Sequence, residues 1–211
     1  MKKIGKFHVI TDTVLQKSFS HLECAKLAVS GGADAIQFRQ KAGSAREMIR
    51  EAAEMRKFCR GAGAVFIVND RIDVAIASEA DGVHLGQDDF PIPLARKLLG
   101  PNAIIGGSAG NMEEARRCLE EGADYVGVGP VYTTTSKEDA GPAGGLGLLE
   151  EIVKSIPLPV IAIGGITPEN VLSILKTGAF GIAVISAVVC RKDPAAAAAS
   201  LKRVVEDYGR G

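Results

Sequence analysis

The sequence predicts an α/β protein built as one (β/α)8 TIM barrel over residues 1–211, and three observations carry that expectation. Short apolar runs, nearly continuous in hydrophobicity as doubly covered parallel strands require, alternate with amphipathic stretches from end to end. A Gly-Ala-Asp type of segment recurs four times, each ahead of such a run, as a doubled βαβα unit used four times would show. A length of 211 residues suits a single core and leaves little for a second.

The apolar runs place strands near Phe7–Thr11, Ala35–Arg39, Val65–Asn69, Gly82–Leu85, Ala103–Gly107, Tyr125–Gly129, Pro159–Ile163 and Gly181–Ile185. Helical patterns fill the gaps, among them Ser44 to Arg60, Asn111 to Glu121 and Thr167 to Lys176. The last two open on N-cap residues with Glu113, Glu114 or Glu169 in the first turn, and Pro168 suits a first helical position. The repeat reads Gly32-Ala33-Asp34, Ala80-Asp81, Gly122-Ala123-Asp124 and Gly178-Ala179-Phe180 ahead of strands two, four, six and eight. Its glycine suits a left-handed helix C-cap and its aspartate a tight turn. A doubly wound open sheet is the alternative, but no GxGxxG follows the first strand.

Twenty-five basic residues balance twenty-five acidic ones, so no overall field draws nucleic acid or an anionic membrane, and an anionic ligand must be held by local charge. Cys24, Cys59, Cys118 and Cys190 show neither metal-ligand spacing nor a redox CxxC, and they read as reduced, helix-packing residues. The start of the chain carries only a short apolar strand and no stretch reaches a membrane span, so a cytoplasmic location is expected.

In such a barrel the active site lies at the C-terminal ends of the strands, so polar residues just after apolar runs carry the most weight. Strand two ends in Gln37-Phe38-Arg39-Gln40-Lys41, where alternation puts Gln37, Arg39 and Lys41 on one side. An inward charge there needs a partner, and a bound diphosphate would be one. Strands three and four end in Asn69-Asp70-Arg71 and His84-Leu85-Gly86-Gln87-Asp88-Asp89. Singly, Asp70 could cap a helix and Asp88 or Asp89 could start a turn; two carboxylates from different strands can also hold Mg²⁺, with water and phosphate oxygens completing the octahedron. His84 reads as a strand-end packing residue or one that supports a site residue, not as a catalyst, and is left out of the site. Ser108 follows strand five, and the longest loop, from Gly129 to Leu146, sets Lys137 among Thr134, Thr135 and Ser136. That run suits a phosphate clasp. Gly164-Gly165 after strand seven and Ile185-Ser186 after strand eight lie where many barrels bind phosphate through backbone N–H groups.

The motifs QFRQK, NDR, GVHLGQDD, GADYVGVGP, TTSKEDAG, AIGGI and GIAVISA, in that order over nearly the whole chain, resemble the thiamine phosphate synthase family. The resemblance implies a transferase that condenses a pyrimidine diphosphate with a thiazole phosphate and releases pyrophosphate. It assigns the pyrimidine diphosphate to Gln37, Phe38, Arg39, Gln40, Lys41, Asn69, Ser108 and Lys137, with Arg39, Ser108 and Lys137 in catalytic roles. The thiazole phosphate falls to Thr134, Thr135, Ser136, Gly165, Ile185 and Ser186, and the cofactor Mg²⁺ to Asp70 and Asp89. Loop closure over Thr133 to Gly145 would exclude water. The implied partners are these two small molecules, with homo-oligomerisation left open. Two positions depart from the family pattern: Ser136 stands for a threonine, and Gly110 for a frequent histidine. A thiazole tautomerase, a non-catalytic precursor-binding protein and an unrelated phosphate-binding barrel are the competing readings. Asp70, Asp89 and the absent histidine disfavour the first, which shares the QxRxK strand; the absent histidine leaves the second open, and Asp70, Asp89 and the QxRxK strand disfavour the third.

Overall fold

The computed structural model describes residues 3–136 and 141–209. Its elements run β1 Phe7–Thr11, α1 His21–Ser30, β2 Ala35–Phe38, α2 Ala45–Ala62, β3 Val65–Asn69, α3 Ile72–Ala77, β4 Gly82–Leu85, α4 Ile92–Leu99 and β5 Ile104–Ala109. They continue with α5 Met112–Glu120, β6 Tyr125–Val128, α6 Gly145–Ser155, β7 Val160–Ile163, α7 Val171–Leu175, β8 Gly181–Val184, α8 Ser186–Val189 and α9 Pro194–Tyr208. Each strand pairs in parallel with the next, and β8 returns to β1 with Phe7 opposite Ile182 and Val9 opposite Val184. The expected (β/α)8 barrel is therefore closed, and no strand edge is left to pair with another chain.

Local chemistry sets the helix starts. Ser20 and Ser44 each accept a hydrogen bond from the N3 backbone N–H while Glu23 and Glu47 bond back to the cap, which satisfies two otherwise orphaned donors per helix. Asn111 caps α5 as expected. The last predicted helix is shorter than its pattern: α7 begins at Val171, and Pro168 sits in the turn before it. The Asn170 side chain explains this, because its Oδ1 accepts from Thr167 N at 2.8 Å and its Nδ2 donates to Gly165 O at 2.9 Å. Thr167 to Asn170 is thereby folded as a side-chain-closed turn against the end of β7.

The repeated aspartate does more than make a turn. Asp34 Oδ2 accepts from Phe7 N at 3.0 Å, Asp81 Oδ2 from Phe66 N at 2.9 Å, and Asp124 Oδ2 from Ile105 N at 2.8 Å. Each carboxylate thus grips the first residues of the strand before it in the barrel, and each is paired with a cation, Lys202, Arg56 or Arg96. The repeat glycines Gly32, Gly122 and Gly178 take the left-handed conformation as expected, with φ of 94°, 85° and 88°. The copy that lacks this glycine places Glu79 at φ 53° instead.

Inward side chains fill the barrel. His8 on β1 and His84 on β4 lie on either side of Tyr125 from β6, with ring centroids 5.7 and 5.4 Å away. Room for this layer comes from Gly106 on β5, where an added Cβ would strike the Tyr125 ring and stand 2.5 Å from His84 Nδ1. Burial pushes the His8 imidazole down to about 4, so it is a neutral core residue at ordinary pH. Cys24, Cys59 and Cys118 are buried in the helix layer as predicted, whereas Cys190, at the C-terminal end of the short α8, is exposed.

Candidate active site

At the C-terminal face of the strands two cavities share a wall. The smaller, about 150 Å³, is lined by Arg39, Lys41, Asn69, Asp70 and Asp89 together with Gly86, Gln87, Asp88 and Ser108. The larger, about 310 Å³, uses those same four last residues on one side. Opposite them it has Thr134, Ser136, Gly165 and Ser186, over an apolar floor that includes Ile163, Ala183 and Ile185. The smaller cavity carries the charge; the larger offers hydroxyls, glycine backbone and apolar surface.

In the charged cavity Arg39 follows β2 and is almost fully buried; Gln37, two residues earlier on β2, is buried too but does not line the cavity. Gln37 Oε1 has no hydrogen-bond partner among the described residues, a cost that a ligand donor would remove. Arg39 Nη1 donates to Asp12 Oδ2, and Asp12 is 2% exposed. Lys41 Nζ donates to Asp70 Oδ2 at 2.7 Å. Asp70 itself takes φ 63°, a left-handed conformation rare for a residue with a Cβ. Burial pushes its carboxyl up, but hydrogen bonds from Lys41 and Asp89 and the Lys41 charge outweigh this, and the net displacement is downward. Asp89 moves the other way, pushed up by burial and by the Asp70 carboxyl. Two facing carboxylates that cannot comfortably both ionise are a donor set that a divalent cation would relieve. Among the described residues no group of three or more histidine, cysteine or acidic side chains gathers as a metal cage.

Ser108 stands on the shared wall, oriented by β4 and β6. His84 Nε2 hydrogen-bonds Ser108 Oγ at 2.9 Å, and His84 Nδ1 hydrogen-bonds the Tyr125 hydroxyl at 2.9 Å. Burial raises the Tyr125 phenol well above its usual range, so it stays protonated. In the larger cavity Ser136 Oγ donates to Ser186 Oγ at 2.9 Å, closing the loop after β6 against the start of α8. Gly164 and Gly165 take φ of 100° and 64°, which brings the backbone after β7 close beneath Tyr132.

Most of the residues expected from sequence converge on these cavities: Arg39, Lys41, Asn69, Asp70, Asp89 and Ser108 on one, Thr134, Ser136, Gly165, Ile185 and Ser186 on the other. Four of the described ones do not line either, the first being Gln37, which is buried within β2. Phe38 points outward and meets the His21 ring edge-on at 4.7 Å, so only its backbone faces the site. Gln40 turns to its own loop, donating to Ala42 O at 2.9 Å. Thr135 is exposed, its neighbours Thr134 and Ser136 taking the cavity side. Lys137, and with it the centre of the loop expected to close, lies outside the described residues. Asp12 was missed by the sequence reasoning, although it is the first residue after β1 and obeys the strand-end rule that found the others.

A closed parallel barrel with a charged pocket and a glycine-hydroxyl pocket meeting at the strand C-terminal ends has the build of a barrel enzyme. Residues 7–188 match the family model described as thiamine monophosphate synthase, and the chain belongs to that family. It is similar to the thiamine-phosphate synthase of Salinibacter ruber, 48% identical over 97% of this chain and 90% of the relative. That of Methanocella arvoryzae is 50% identical over 95% of each. Among solved structures, a thiamine phosphate pyrophosphorylase from Pyrococcus furiosus superposes with a TM-score of 0.88 at 43% identity, covering 96% of both chains. Among the described residues no helix is long and apolar enough to cross a membrane.

Proposed function

We propose that this transferase condenses 4-amino-2-methyl-5-(diphosphooxymethyl)pyrimidine with 4-methyl-5-(2-phosphooxyethyl)thiazole, giving thiamine phosphate and pyrophosphate, or with its carboxylated precursor, giving the same products and carbon dioxide. The observation that carries the reading is the pair of cavities with a common wall at Gly86, Gln87, Asp88 and Ser108. The diphosphate fits the charged cavity, against Arg39 and Lys41 and beside the carboxylates that would hold a cation, and the thiazole phosphate the hydroxyl-lined one, so the pyrimidine methylene and the thiazole nitrogen meet near Ser108.

The bond from the methylene carbon to the diphosphate oxygen breaks, its electron pair leaving with pyrophosphate. The neutral thiazole nitrogen supplies the pair for the new C–N bond, so the nucleophile needs no general base. The demand on the protein is electrostatic. Arg39 offers a planar fork to diphosphate oxygens and Lys41 a point charge, while Ser108 donates a hydrogen bond to the leaving group. Gln37 meets the pyrimidine with the acceptor it has spare. Asp70 and Asp89 fit Mg²⁺, which when bound neutralises charge on the departing diphosphate. Ile163, Ala183 and Ile185 keep the larger cavity apolar around the ring and away from water. Lys137 joins this set on its sequence position.

Replacing Asp70 or Lys137 with alanine is expected to lower turnover by about a hundredfold or more while circular dichroism stays unchanged, the scale of losing one charge-stabilising contact. Wild-type rates in both variants would overturn the assignment. Isomerisation of the thiazole phosphate alone, without the pyrimidine, would favour a tautomerase.

A further inference from the structure

The Arg39 guanidinium is buried beside a carboxylate that lines neither cavity. Asp12, 2% exposed, lies behind Arg39, which is 8% exposed and forms part of the charged cavity wall. The two Asp12 oxygens are divided between tasks. Oδ2 accepts from Arg39 Nη1, and Oδ1 accepts from Val14 N at 2.9 Å and Leu15 N at 3.1 Å, the first turn of the segment joining β1 to α1. We propose that Asp12 is a positioning residue that clamps one nitrogen of Arg39 to this segment and so aims the remaining guanidinium N–H groups at the diphosphate. The inference rests on the diphosphate occupying the Arg39 cavity.

The chemistry favours a positioning role over simple charge balance. An arginine has five N–H donors in a fixed plane, so spending Nη1 on Asp12 fixes the direction of the others. A lysine at this place would have one rotatable ammonium and could collapse onto Asp12. The clamp is itself held rigid. His21 bridges the hydroxyls on either side of Asp12, with Nδ1 2.7 Å from Thr11 Oγ1 and Nε2 3.2 Å from Thr13 Oγ1. Gln16 closes the rest of the segment, Oε1 accepting from Ser18 N and Phe19 N at 3.0 Å and Nε2 donating to Phe19 O at 2.7 Å. A carboxylate fixed by its supporting bonds can hold a ligand-binding group to the tolerance that catalysis needs.

The test is a double-mutant cycle in the full chain, with inorganic pyrophosphate and Mg²⁺ as the calorimetric probe and steady-state kinetics beside it. Asp12→Asn keeps the shape and an acceptor for the segment but removes the charge. It is expected to weaken pyrophosphate binding about tenfold, as is Arg39→Gln, and the double variant should lie within about twofold of Arg39→Gln alone, since coupled sites do not add. Affinity for the thiazole phosphate should stay within about twofold of wild type, a readout that general loosening of the fold would move. Unchanged pyrophosphate affinity in Asp12→Asn, or losses that multiply in the double variant, would overturn the inference. If Arg39→Gln itself leaves pyrophosphate binding intact, the diphosphate assignment of this cavity fails and the inference with it. Should Asp12→Asn not fold, Asp12→Glu retains the charge and shifts it by one methylene; a measurable loss of pyrophosphate affinity then supports the clamp, and wild-type affinity contradicts it.

Discussion

At the barrel mouth Asp70 stands in a left-handed backbone conformation, at φ 63°, with a second carboxylate facing it. The backbone disfavours the apo fold because a Cβ is crowded in that region, and the repulsion between the carboxylates falls on Asp89, which is pushed up while Lys41 holds Asp70 down. A residue retained against such costs is one the site uses, and the prediction separates stability from function. Asp70→Gly removes the crowding and the repulsion, while the partly exposed Lys41 pair it gives up contributes little. The variant is expected to match or exceed wild-type stability, by up to about 1 kcal/mol, in urea unfolding, and to lose turnover. A stability loss of several kcal/mol would contradict this account of Asp70. Asp12 and Arg39 make the opposite case, a buried ion pair in which each charge depends on the other.

The elements were legible in the sequence wherever burial alone decides them. Eight apolar runs gave eight strands, with β1, β3 and β4 at the expected limits and the others within a residue or two, because a strand covered on both faces has no polar positions to blur its ends. Polar residues at strand ends gave most of the site for the same reason reversed: Gln37, Arg39 and Asn69 interrupt surfaces that are otherwise apolar. What stayed hidden depends on partners distant in sequence. Asp34, Asp81 and Asp124 read as turn residues, yet each bonds a strand start 15 to 27 residues away. Asp12 drew no reading at all, its partner Arg39 lying 27 residues on. The late start of α7 was hidden too, since Thr167 and Pro168 are sound helix openers until the Asn170 side chain is seen closing the turn. His84, read as a packing or supporting residue, takes the supporting role by bonding Ser108.

For the whole molecule, the closed barrel makes the stability of the core and the geometry of the mouth one problem, since the strands that bury His8 also carry Asp12, Arg39 and Ser108. Burial holds His8 and His21 at about 4 in the folded state, below their ordinary value of 6.5. Between those values the unfolded chain binds protons that the native chain refuses, so stability rises with pH through this window and falls on acidification. For His8 the loss between pH 7 and 4 reaches roughly 3 kcal/mol, and urea midpoints at pH 7, 5.5 and 4.5 should fall in that order. A flat series would mean that the buried ring is charged in the native state. The central claim, that two anionic substrates are joined at the wall between the two cavities, has a direct measurement. The purified protein is incubated with the pyrimidine diphosphate, the thiazole phosphate and Mg²⁺, and thiamine phosphate and pyrophosphate are quantified together. The account predicts equimolar formation of both products, abolished when either substrate is omitted and strongly reduced when the metal is chelated. Saturating substrates and metal with no thiamine phosphate formed would contradict it.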